Sequence, residues 1–168
     1  MDTKGLITAD RPDVVDGSIA AHKKNYIRND CSYKDNLTIM EVAKNFKPTC
    51  LLGLSTIFGS FTKELIETVT ASAGQSPIVL ALSNPTTKCE CTNQDAYNWS
   101  EGKVLYASGS PMPQLNLKDG TQMETAQCNN FYVFPGIGLG AYIAKCTEIT
   151  DMMIVKVASA LANMVKDE

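Results

Sequence analysis

The chain has one histidine, His22, in 168 residues. Six cysteines are present (Cys31, Cys50, Cys89, Cys91, Cys128 and Cys146), but none forms a C-x-x-C pair. Together these argue against a zinc site. Cys89-x-Cys91 would need further ligands that the sequence does not supply, so reduced thiols in a cytosolic or organellar protein are the better reading. No basic stripe is visible and the net charge is −3, which argues against nucleic acid as a partner. Lys23-Lys24 is too short to be a patch and reads as a solvated face. No apolar run approaches the ~20 residues that cross a bilayer. Met1-Asp2-Thr3-Lys4-Gly5 lacks the basic-then-apolar order of a signal peptide. No Ser/His/Asp set, strand-embedded carboxylate pair or G-x-G-x-x-G can be found, so catalytic and metal-ligating groups are scarce.

The chain does contain three short apolar runs that each stop at small polar residues. Cys50-Leu51-Leu52-Gly53-Leu54 leads into Ser55-Thr56. Ile78-Val79-Leu80-Ala81-Leu82 leads into Ser83-Asn84-Pro85-Thr86, and Val104-Leu105-Tyr106-Ala107 into Ser108-Gly109-Ser110-Pro111. A helical stretch separates each pair, which is the rhythm of β-α-β units in a parallel sheet. Ligands of such sheets sit outside the carboxyl ends of the strands. Here those ends carry hydroxyls, a carboxamide and turn-formers, which suggests a small-molecule crevice. With 44% hydrophobic and 20% charged residues, the chain can bury the core of one domain.

Local signals punctuate the runs. Thr38-Ile39-Met40-Glu41 is a capping box and predicts a helix to about Phe46, ended by Lys47-Pro48. A second helix is expected from Thr62, with Leu65, Ile66 and Val69 on one face, closing at Ala73-Gly74-Gln75-Ser76-Pro77. Thr92-Asn93-Gln94-Asp95 caps a short helix through Ala96 to Trp99, and Asp119-Gly120 reads as a hairpin turn within an irregular excursion from Pro111 to Cys128. Pro135-Gly136-Ile137-Gly138-Leu139-Gly140 lacks the order of a nucleotide loop. It reads instead as a helix packed closely on small residues. Thr150 caps a last helix. Gly5-Leu6-Ile7-Thr8 could be a strand remnant, and residues 9 to 36 are polar with little periodicity.

Three groups at run ends are candidates for chemistry. The Asn84 carboxamide can donate and accept without adding charge, so it suits a carboxylate, a hydroxyl or a nicotinamide amide; it would equally satisfy a turn through its own side chain. Asn129-Asn130 need partners where they enter the apolar segment Phe131-Tyr132-Val133-Phe134, and a ligand or the backbone would serve. Gly53-Leu54-Ser55 with Gly59 permits close approach of backbone to a ligand, or a simple strand-to-helix turn.

At these residues the chain resembles the nucleotide-binding domain of malic enzymes. The resemblance is carried by Lys47-Pro48-Thr49-x-Leu51-x-Gly53, Phe61-Thr62 and Ala81-Leu82-Ser83-Asn84-Pro85-Thr86. It continues through Glu90-Cys91-Thr92, Ala96-Tyr97, Ala107-Ser108-Gly109-Ser110-Pro111 and Asn129-Asn130-x-Tyr132-x-Phe134-Pro135-Gly136. Asp2-x-Lys4-Gly5-Leu6-Ile7 looks like the family segment after the second strand, extending the match to nearly all of residues 1–168. The resemblance implies an α/β, Rossmann-like parallel sheet with helices on both faces, incomplete because its amino-terminal strands are missing. It implies oxidation of (S)-malate by NAD or NADP, with decarboxylation to pyruvate. Mg²⁺ or Mn²⁺ would assist, with ligands outside this chain. Malate would be the small-molecule substrate, subunits would form homo-oligomers, and the location would be cytoplasmic or mitochondrial.

Carried over residue by residue, Asn84, Asn129 and Asn130 would contact malate. Asp2, Thr3, Gly53, Leu54, Ser55 and Asn84 would contact the cofactor. No residue is assigned a catalytic role, because the family's catalytic tyrosine and lysine, metal acids and glycine-rich loop find no counterpart here. The chain alone is therefore expected to be inactive, or to act as a nucleotide-binding or subunit-association fragment. Two departures stand out: Phe58 where the family carries glycine, and Thr125-Ala126-Gln127 where it carries Pro-Gly-Gln.

Overall fold

A computed structural model describes residues 1–32, 37–74 and 76–164. Residues 33–36 of the polar stretch, and Gln75 of the expected helix end, lie outside them. The chain divides into two compact units, Met1–Gln127 and Cys128–Glu168.

The first unit is built on a parallel four-stranded sheet. Its strands are β1 (Cys50–Gly53), β2 (Ile78–Ala81), β3 (Leu105–Ser108) and the two-residue β6 (Ala126–Gln127), in the order β1-β2-β3-β6. Leu51 pairs with Val79 and Val79 with Tyr106; Gly53 pairs with Ala81 and Ala81 with Ser108. The three apolar runs thus form neighbouring strands within one residue of their expected ends. β6 joins β3 through Ala107 and Ala126, so the turn remodelled by Thr125-Ala126 is a short edge strand. Asp119-Gly120 lies in the link between β4 (Leu115–Asn116) and β5 (Gln122–Met123), an antiparallel pair.

The three longer helices of this unit each start where a threonine hydroxyl caps them. Thr38 accepts from Glu41 N while Glu41 Oε2 accepts from Thr38 N, so both halves of the capping box of α2 (Ile39–Phe46) are made. Thr62 caps α3 (Lys63–Ala73) and Thr92 caps α4 (Asn93–Trp99). Gly74 ends α3 in the left-handed region, where the absence of Cβ removes the steric penalty. Leu51, Val79 and Ala81 of the sheet join Ala43, Phe61, Leu65, Ile66, Val69 and Ala96 in one buried cluster. The alternate strand positions fall on the opposite face. There Leu52 is 56% exposed, Leu105 60% and Ile78 37%.

The amino-terminal segment has little periodicity: the ion pairs of Arg11 with Asp2 and Asp13 hold it together alongside the isolated buried side chains of Ile7 and Ile19. It forms α1 (Pro12–Val15) and a 3₁₀ turn (Ala21–Tyr26), and a single parallel bridge joins Thr8 to Arg28. The Gly5–Thr8 run therefore contributes a bridge, not a strand.

The second unit has a 3₁₀ turn (Asn130–Tyr132), α5 (Phe134–Ala144) and α6 (Asp151–Ala162), the last capped by Thr150. The glycine-rich run lies within α5, but the close packing expected of it is not found: a Cβ at Gly136, Gly138 or Gly140 would meet no atom within 4 Å among the described residues. Gly136, Ile137, Gly140 and Ala141 of α5 face Met153 and Val157 of α6 across an apolar cleft.

Candidate functional site

The carboxyl ends of β1, β2 and β3 bring Gly53, Leu54, Ser55 and Asn84 onto one rim. The backbone ties the rim together: Leu82 N donates to Gly53 O at 3.0 Å and Gly109 N to Ala81 O at 3.1 Å. Thr56 N donates to Ser83 Oγ at 2.9 Å, joining the loop after β1 to the loop after β2. Leu54, Ser55, Thr56 and Asn84 are exposed, so the rim is an open shelf, not a closed cavity.

Asn84 sits beside a cis peptide bond to Pro85. Its Oδ1 accepts from Ser110 Oγ at the end of β3, while its Nδ2 makes no hydrogen bond among the described residues. The carboxamide is thus oriented from one side and has two N–H donors available, the half of its chemistry that suits a hydroxyl or carbonyl of a ligand.

Sequence reasoning missed the residue that organises this rim. Glu90 is wholly buried, at 0% exposure. Burying a carboxyl costs heavily unless donors satisfy it, and three do. Ser55 N donates to Oε1 at 3.2 Å and Ser83 N to Oε2 at 3.3 Å, and Ser83 Oγ donates to Oε1. A Cβ on Gly53 would lie 2.5 Å from Glu90 Cδ and 2.7 Å from Cγ. The glycine therefore admits the Glu90 side chain. This is close approach as the sequence suggested, but to a protein carboxyl. The available signal was the position of Glu90 between two apolar cysteines, since both Cys89 and Cys91 are buried.

Cys89 and Cys91 are structural. Cys89 Sγ lies 3.1 Å from Cys91 O, and Tyr106 OH donates to that same carbonyl at 2.9 Å. Burial, reinforced by the neighbouring Cys89, Asp95 and Glu90, pushes the Cys91 thiol well above its ordinary value. A thiol held in that form is inert as a ligand or nucleophile. Among the described residues no three His, Cys, Asp or Glu side chains form a metal-ligand group.

Asp2 and Thr3 belong to a different cluster. Asp2 accepts from Arg11 Nη1 at 2.9 Å, Arg11 Nη2 at 3.2 Å, Lys23 Nζ at 2.6 Å and Lys4 N at 2.9 Å. Arg11 is buried and also grips Asp13, with Nε 2.7 Å from Oδ1. Burial alone would raise the Asp2 carboxyl, but Arg11 and Lys23 outweigh it and hold the group well below the usual carboxylate range. Lys23 is therefore an ion-pair partner and not only a solvated charge. Thr3 is exposed.

Asn129 and Asn130 lie in the second unit. Asn129 caps the 3₁₀ turn, its Oδ1 accepting from Phe131 N at 2.9 Å, so backbone supplies a partner there; Asn130 is exposed. Phe58 is 68% exposed in the loop after β1.

The rim thus presents an open carboxamide, exposed backbone at a strand exit and hydroxyls. The profile of the family "Malic enzyme, NAD binding domain" matches residues 1–168. An NADP-dependent malic enzyme of Dictyostelium discoideum is 44% identical over 167 residues, which is 99% of this chain and 29% of the relative. One from Populus trichocarpa is 41% identical, over 99% of this chain and 27% of the relative. The mitochondrial NAD-dependent malic enzyme 2 of Arabidopsis thaliana is 34% identical over the whole chain and 27% of its own length. The chain thus spans between a quarter and a third of these relatives. Its strand exits, its motif strings and its full-length profile match together establish that it belongs to the malic enzyme family, as an NAD-binding domain.

Proposed function

We propose that this chain supplies the nicotinamide-end rim of an enzyme that oxidises (S)-malate with NAD or NADP and decarboxylates the product to pyruvate and CO₂. The observation that carries the reading is the shared rim of Gly53, Leu54, Ser55 and Asn84, with the Asn84 amide nitrogen open to a ligand. A bound dinucleotide would supply the hydride acceptor for malate oxidation. The chain's own part is to bind and orient: Asn84 holds the nicotinamide ribose and the substrate, and Gly53, Leu54 and Ser55 border the ring. Asp2 and Thr3 lie toward the adenosine ribose. In the family Mg²⁺ or Mn²⁺ assists, but no group of three or more His, Cys, Asp or Glu that could hold it occurs among the described residues. The complete protein is a homo-oligomer of the cytoplasm or mitochondrion, without membrane or nucleic-acid partners.

Titrating the 168-residue chain with NADH and NADPH, read by nicotinamide fluorescence, tests the reading. Saturable binding that weakens in Asn84→Ala supports it, and absence of binding to either nucleotide overturns it. Malate turnover by the chain alone, with Mn²⁺ and either nucleotide, is expected to equal a blank. A second reading, a subunit-association fragment, is favoured by the exposed Leu52 and Leu105 on one sheet face. Light scattering decides it, since a strictly monomeric chain excludes association.

A further inference from the structure

We propose that Glu90 is a positioning residue for the nicotinamide end, setting the separation between the loop after β1 and the carboxamide after β2. The inference rests on the reading of the rim given above.

Glu90 reaches both loops at once. Its carboxyl takes Ser55 N from the first, and Ser83 N and Oγ from the second. Ser83 Oγ in turn accepts from Thr56 N at 2.9 Å, so one chain of hydrogen bonds runs from Glu90 through Ser83 to Thr56. Its members polarise one another in a buried setting. Thr56 is held at φ 57°, in the left-handed region that a side-chain-bearing residue avoids. That backbone has to be held in place, and the Ser83 hydroxyl holds it.

The main chain of the same segment grips the far end of the first loop. Cys89 O accepts from Gly59 N at 3.2 Å and Glu90 O from Phe61 N at 3.1 Å. The stretch from Ser55 to Phe61 is therefore fastened at both ends to residues 89 and 90. Directly after Ser83 comes Asn84, whose own Oδ1 is held from β3 by Ser110. No ion pair involves Glu90 among the described residues, so its carboxyl is committed to these amides and this hydroxyl. Its hydrogen bonds all end at the rim, none in the helical layer.

The geometry is unforgiving because Glu90 packs against Gly53 with no space to spare. Replacing the carboxyl by a carboxamide of the same shape puts an N–H₂ where one of three donors now finds an acceptor. A buried donor is then left unpaired and the loops shift to satisfy it.

The test compares three forms of the 168-residue chain: wild type, Glu90→Gln, and Val69→Ala as a core control in α3, remote from the rim. Each is melted and titrated with NADPH, with the emission of bound reduced nicotinamide as the spectroscopic readout. Glu90→Gln is expected to weaken binding by about tenfold or more, the effect of one unpaired buried donor, and to lose the bound-nicotinamide emission. Val69→Ala melts earlier but binds with unchanged affinity and emission. Amide exchange at Ser55 and Ser83 accelerates in Glu90→Gln alone. If both variants lose affinity in step with stability, or if Glu90→Gln binds as wild type does, the positioning role is wrong and the proposed function stands. If wild type binds neither nucleotide, the proposed function fails and this role fails with it. Should Glu90→Gln not fold, Ser83→Ala decides: selective loss of nicotinamide emission supports the role, and unchanged emission overturns it.

Discussion

Gly109 is the strand-exit residue where a single added methyl meets backbone. A Cβ there would lie 2.3 Å from Leu82 O, 2.8 Å from Leu82 C and 3.1 Å from Asn84 Nδ2. Non-bonded carbons settle at roughly 3.5 Å or more, so Gly109→Ala forces the exits of β2 and β3 apart by about 1 Å on that scale. The Leu82 carbonyl cannot simply swing aside, because its own peptide unit is held through Ser83 N, which donates to Glu90 Oε2 at 3.3 Å. Overpacking of this kind costs about 1–3 kcal/mol, and loss of one strand-exit hydrogen bond adds about 1 kcal/mol. At roughly 2–4 °C per kcal/mol for a chain of this size, the melting temperature falls by about 4–16 °C. The same shift moves Asn84, so nucleotide binding weakens even at temperatures where the variant is fully folded. Circular dichroism melts and a nucleotide titration at low temperature measure the two effects. A melting temperature within 1 °C of wild type (below the smallest shift this reasoning allows), or unchanged affinity alongside a lowered melt, refutes the coupling of Gly109 to the rim.

Three further outcomes are expected. Gly138 lies within α5 and is absent from the cleft that Gly136 and Gly140 line, so Gly138→Ala raises the helix stability of the second unit by about 0.5–1 kcal/mol; a lower melt sinks this. Asp2, whose carboxyl is held below the usual range in the fold, contributes stability that is complete above the ordinary carboxylate value of about 3.9 and is lost as the pH falls through its depressed folded value. Asp2→Asn therefore costs about 1–3 kcal/mol at neutral pH, and its acid-melting limb below about pH 4 is shallower than that of wild type, Asp13 still being paired with Arg11; parallel limbs count against it. Cys91, buried with its thiol pushed up, resists alkylation in the folded chain while exposed Cys50 reacts; mass spectrometry before and after denaturant reads this, and equal labelling of both would show that the 89–91 segment is not closed.

What the sequence made legible and what it hid divide along a physical line. Features carried by neighbours in the chain were readable. Each of the four threonine caps needs only an amide three residues on, and the three apolar runs need only their own length and their turn-formers. The rim followed, because carboxyl ends of adjacent parallel strands must share an edge. Features carried by distant partners were not readable. Ala126–Gln127 has no strand pattern of its own and becomes β6 only because the Ala107 edge offers it hydrogen bonds. Residues 9 to 32 look structureless by periodicity because Arg11 is satisfied by Asp2 and Asp13, and charge pairing leaves no repeat in the sequence. Glu90 is the sharpest case. An acid after Thr-Lys-Cys reads as a solvated residue, and only the Gly53 vacancy across the sheet turns it into a buried clamp. The two residues imply each other: with any larger residue at 53 the carboxyl could not enter, and without the carboxyl the buried Ser83 would have an unpaired amide. A glycine placed for ligand approach and a glycine placed for a buried acid look the same in one sequence. The rim therefore owes its shape to an acid that never reaches its surface.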